Sequence, residues 1–138
     1  MIGRVSWYVF LIVGIIIGLG AFGHGYSVSQ VHKAIDQFPI ESAMHQTLYT
    51  VWYFVSGAML TFGVTIVWIA FRLRAGDSSS VFSAFLIGVL YFIFGAWAFI
   101  YSHGDHFALL FVGLGALLVG SSLALRSSNS PGIGKVRS

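Results

Sequence analysis

Four stretches of the chain carry no charged side chain: residues 5–23, 42–71, 81–102 and 107–125. A helix needs roughly 20 apolar residues to cross a hydrocarbon core. Helices are therefore expected over about 5–24, 42–71, 81–102 and 107–125. The second is longer than a bilayer requires, so it tilts or projects beyond the lipid. Residues 27–38 have a different pattern. Val28, Val31, Ile35 and Phe38 share one helical face, while Ser29, Gln30, Lys33, Asp36 and Gln37 fall elsewhere. That is the signature of a short amphipathic helix on the membrane surface or capping the bundle, ended by Pro39.

The connections are short. Residues 75–80 hold Gly76, Asp77 and three serines, a hydrophilic turn able to cap the next helix. Residues 101–107 allow only a tight turn between two antiparallel helices. The expected fold is all-α: an antiparallel up-down bundle of four transmembrane helices, with the amphipathic helix between the first and second. It forms one domain over residues 1–126. Residues 127–138 are rich in Ser, Gly and Pro and read as a disordered tail.

Small residues mark the expected packing faces. Gly14 and Gly18, extended by Ala21 and Gly25, form one stripe, read as packing within the bundle rather than a homodimer contact. Gly57, Thr61 and Thr65 form a second, and Gly113, Ala116, Gly120 and Ala124 a third. Ala84, Gly88, Tyr91 and Gly95 share a face of the third span. His45, Tyr49, Trp52 and Ser56 pair apolar bodies with hydrogen-bonding tips, so this row should face other helices.

Composition turns the helical pattern into a membrane assignment. The chain is 57% hydrophobic and 8% charged, against about 25% charged in soluble domains. Lipid is thus the solvent for most of the surface. The net charge of +3 does not form a nucleic-acid patch, because the basic residues stand at helix ends. An even number of spans puts both termini on one side, with Arg4, Arg72, Arg74, Arg126, Lys135 and Arg137. Only Lys33 falls on the other. That bias predicts a cell inner (plasma) membrane protein with both termini cytoplasmic. The N-terminus also has the look of a secretory signal, with small residues around Ala21-Phe22-Gly23. Its apolar run exceeds the 7–15 residues typical of such a signal, so an uncleaved first span is the preferred reading.

Chemistry is concentrated at the predicted outer end. All five histidines fall there, with Asp36, Glu41 and Asp105. His24, His45, His103 and His106, with Glu41 and Asp105, are the candidate ligands for a metal ion, since imidazoles and carboxylates suit zinc or copper. Asp105 is a ligand or orients an imidazole. A haem would need two facing histidines, for example His24 and His103. The competing reading is structural: histidine is amphipathic and collects at the membrane boundary, and Glu41 and His45, one turn apart, are expected to hydrogen-bond each other. Tyr49 and Trp52 could line a lipid or quinone pocket. The chain has no cysteine, which removes thiolate sites and disulfides. The absence of mid-membrane charge argues against an ion pump.

In length and helix number the chain resembles small bacterial four-helix membrane proteins, of which the DoxX-like group is one. No local motif carries a function across. The expected role is a non-catalytic structural, accessory or partner-binding subunit, working with a partner membrane subunit or as a homo-oligomer. The alternatives are a metal- or haem-binding protein using the outer histidines, and a lipid or small-molecule carrier.

Overall fold

The computed structural model describes residues 2–37 and 41–129. All regular structure among them is helical: α1 (Ile2–Tyr26), α2 (Val28–Ile35), α3 (Ser42–Arg74), α4 (Val81–Tyr101) and α5 (Phe107–Asn129). Four helices are long and apolar enough to cross a membrane, which makes this a membrane protein with much of its surface apolar. The helix end expected at Pro39 and the residues of the tail from 130 on lie outside the described residues. The helical part of that tail is longer than expected. Ser127 and Ser128 continue α5, with their hydroxyls donating to the carbonyls of Ala124 and Leu125 at 2.9 Å. Serines that return their hydrogen bonds to the backbone no longer compete with the helix.

The contacts divide the chain into two compact units, Ile12–Trp68 and Met1–Leu11 with Ile69–Ser138. In the first, α1 and α3 run antiparallel and very close. A Cβ placed on Gly63 would stand 2.5 Å from the Gly18 nitrogen and 2.8 Å from the Gly14 carbonyl oxygen. One on Gly14 would stand 2.9 Å from the Val67 nitrogen. Only glycine permits that approach, and in lipid such packing is a main source of helix association. The Gly14/Gly18 stripe thus packs within the chain, and its partner is Gly63. The expected stripe of Gly57, Thr61 and Thr65 is not that partner: Thr61 is exposed and nothing lies near Gly57.

The second unit contains the short hairpin of α4 and α5. Ala84, Gly88, Tyr91 and Gly95 are all buried, as expected. A Cβ on Gly115 would stand 2.5 Å from the Phe92 nitrogen and 2.6 Å from the Gly88 carbonyl oxygen. A Cβ on Gly95 would stand 2.7 Å from the Val112 nitrogen. The face of α5 that makes this contact holds Gly115, Leu118, Ser122 and Leu125, all buried. The expected stripe points elsewhere: Gly113, Ala116 and Gly120 are exposed. Two residues along a helix is a turn of about 200°, so Gly113 and Gly115 occupy opposite faces. At the start of α1, Trp7 stacks on Tyr8 and lies under Arg74, 5.3 Å from its guanidinium carbon.

Both described helix-to-helix turns use one closing motif. After α3, Gly76 takes φ 87°, its N–H donating to Leu73 O while Asp77 N donates to Arg72 O. After α4, His103 takes φ 56°, its N–H donating to Ile100 O while Gly104 N donates to Phe99 O. This left-handed closure satisfies the last helical carbonyls. Glycine fills the strained position in one turn and histidine in the other.

Candidate functional site

The row His45, Tyr49, Trp52 and Ser56 on α3 faces α1 and α2. Trp52 and Ser56 meet His24. The Ser56 hydroxyl lies 2.9 Å from His24 Nδ1 and 3.1 Å from Trp52 O, within hydrogen-bond reach of both. The His24 ring stacks on Trp52, with centroids 4.2 Å apart and planes 15° apart.

The backbone carbonyl of His24 accepts two side-chain donors, Trp52 Nε1–H and the Ser27 hydroxyl, each at 2.7 Å. Side chains inserted into the carbonyl ladder interrupt a helix. Here the interruption is slight, because Ser27 keeps right-handed helical dihedrals and Ser27 N still donates to Gly23 O. Within the 27–38 stretch expected to hold an amphipathic helix, a helix is observed over Val28–Ile35 as α2, continuing the path of α1 along α3.

One contact fixes α2 to α3. The Tyr49 hydroxyl and His32 Nδ1 are hydrogen-bonded, and the rings tilt at 30° with centroids 5.1 Å apart. The other nitrogen of His32 stands 3.2 Å from Asp36 Oδ2, one turn along. With neutral histidine, Tyr49 O–H donates to Nδ1 and Nε2–H donates to Asp36. Tyr49, His32 and Asp36 make a continuous chain that joins α2 to α3. Neither His32 nor Asp36 belongs to the expected ligand set. The available signal was their spacing of four residues on a helix.

The expected ligands have mostly local roles. His45 Nε2 is buried without a hydrogen-bond partner. Its backbone N–H donates to Glu41 O at 3.2 Å, so the described bond between these residues runs through the main chain. Asp105 caps α5: its Oδ1 accepts from Phe107 N at 2.9 Å, while its own N–H donates to the Ser102 hydroxyl at 3.1 Å. His103 closes α4, and His106 O accepts from Leu109 N in the first turn of α5. Among the described residues, no three His, Asp or Glu side chains gather as a group that could hold a metal ion.

Charges and helix lengths together bound the part of α3 that lipid can cover. Arg72, Arg74 and Asp77 cannot enter a hydrocarbon core. A core of about 30 Å, counted from Phe71 at 1.5 Å per residue, ends near Trp52. The same count from Val5 along α1 ends near His24 and Tyr26. Trp52 and His24 are in contact, so the two counts end at the same level. From Trp52 back to Ser42, α3 continues for roughly 15 Å, and α2 runs beside that part. Compared with known protein families, curated proteins and solved structures, the chain matches none of them.

Proposed function

We propose that the protein is a non-catalytic, partner-binding subunit of the cell inner membrane, crossing it four times up and down with both termini cytoplasmic. Its four spans act as one domain. Lys33 alone lies on the outer side, and the remaining Lys and Arg residues lie inside. The amphipathic helix α2 then stands at the outer water boundary, with Lys33 and Asp36 in the aqueous layer.

One observation carries this reading. α3 and the α1–α2 run are each longer than a bilayer core requires, and side-chain bonds at His24, Ser56, Trp52, His32 and Tyr49 join the Ser42 end of α3 to α1 and α2. This supports a docking role if that end stands outside the lipid, because a pre-ordered element loses little freedom when it binds.

The test is purification of the full chain in mild detergent, beside a Tyr49→Phe/His32→Ala variant that unclamps that end. The wild type should co-elute with a defined membrane partner or a second copy of itself, and the variant should lose it. Recovery of the wild type as a lone, monodisperse monomer would remove the proposal's basis.

A further inference from the structure

The compact unit of Met1–Leu11 and Ile69–Ser138 gathers its positive charge at one end. Arg72 and Arg74 close α3, and the link over 75–80 leads directly into α4. The hairpin of α4 and α5 then brings Arg126, in the last turn of α5, back to the level where α4 begins. The start of α1 stands there too, because Trp7 lies under Arg74. Arg4 is three residues before Trp7, about one turn. Against these four arginines, Asp77 is the only carboxylate at this end among the described residues. Asp105 belongs to the far end of the hairpin, about 30 Å off. Asp77 is already bound by Arg72, whose Nε donates to Oδ2 at 2.8 Å.

Arg74 is thus exposed with no carboxylate beside it among the described residues. Its guanidinium carbon stands 5.3 Å from the centre of the Trp7 ring. That stacking orients the fork by one face and leaves its N–H edge to an acceptor outside the chain. A guanidinium edge matches two oxygens of a phosphate. The surface around this cation is aromatic: Tyr8, Phe71 and Phe82 are 51%, 54% and 61% exposed. A free phosphate would use only the cation, whereas a phosphate carrying acyl chains suits both the cation and the aromatic rings. We propose that Arg74, propped on Trp7, binds the headgroup phosphate of an anionic glycerophospholipid, with an acyl chain lying along Phe71. A zwitterionic headgroup brings an ammonium that the neighbouring arginines repel, so net negative charge is the selected property. The site requires only that the chain spans a membrane, and it stands apart from the partner-binding role at the other end of α3.

The test uses full-length protein in dodecyl maltoside, to which phosphatidylglycerol or phosphatidylcholine is added, with retained lipid counted by native mass spectrometry. The wild type should retain phosphatidylglycerol in preference to phosphatidylcholine. Arg74→Gln should weaken phosphatidylglycerol about fivefold, the effect of one basic residue at an anionic surface. Trp7→Leu keeps every charge and should weaken it as well. Arg74→Lys should fall between Arg74→Gln and the wild type, since an ammonium keeps the charge without the fork. Lys33→Gln, which removes a charge from α2 instead, should bind as the wild type does. A wild type without the preference overturns the proposal before any variant is made. Equal losses in Arg74→Gln and Lys33→Gln mean diffuse attraction and overturn it too. An unchanged Trp7→Leu variant overturns the seat on Trp7. Displacement of the lipid by excess inorganic phosphate at constant ionic strength overturns the lipid as occupant in favour of a soluble anion.

Discussion

His103 sits in the left-handed region, where a side chain's Cβ crowds the following carbonyl at a cost of roughly 1–2 kcal/mol. Gly76 occupies the equivalent position after α3 without that penalty. His103→Gly should therefore raise the thermal unfolding midpoint in detergent by an amount corresponding to about 1 kcal/mol, part of the gain being offset by glycine's freedom in the unfolded chain. His103→Val should lower it. A drop in the glycine variant would mean that the imidazole makes a stabilising contact. In the link between α3 and α4, the Ser79 N–H and the Arg72 guanidinium bind the Asp77 carboxylate and hold its pKa at about 2, below its ordinary 3.8. A depressed carboxylate pKa stabilises the fold above the unfolded value, and that contribution is lost as pH falls through the folded value. The protection of the Ser79 amide, taken relative to the intrinsic exchange rate at each pH, should thus hold from neutral pH down to about 4 and fall between there and 2. Asp77→Asn should show lower protection at neutral pH and no such step.

At the scale of helices, glycines divide into those that touch backbone and those that face open space. Gly63→Ala forces α1 and α3 apart, since its Cβ would meet the backbone of Gly18. The expected loss is about 1–3 kcal/mol, the usual range for overpacking. Gly113→Ala and Gly57→Ala meet nothing within 4 Å and should be neutral or stabilising by up to about 1 kcal/mol through helix propensity. Parallel melting curves in one detergent would check both. The spans were legible in the sequence because a run without charge is a property of the run itself. The row from His45 to Ser56 was legible because aromatic bodies with polar tips seldom suit lipid. The packing faces of α3 and α5 were not. Each helix carries small residues on more than one side, and the choice between Gly113 and Gly115 depends on where the neighbouring helix stands. The clamp of His32 on Tyr49 was hidden for a similar reason: residues 17 positions apart meet only once α2 lies along α3.

Over the whole molecule, the proposed orientation has a direct test. Reporter domains fused after Asp77 and after Asp105 should report opposite compartments, with Asp77 on the cytoplasmic side. The same compartment for both would exclude the up-down arrangement. The unequal hairpins carry a further consequence. At 1.5 Å per residue, α4 and α5 reach about 32 and 35 Å, whereas α3 and the α1–α2 run reach about 50 Å each. A bilayer made from longer acyl chains can draw more of the long pair into itself at small cost, but the short pair has no reserve to give. Hydrophobic mismatch should therefore strain α4 and α5 first, costing fractions of a kcal/mol per Å. Lipid chain length becomes a dial that acts on one hairpin while leaving the other at ease.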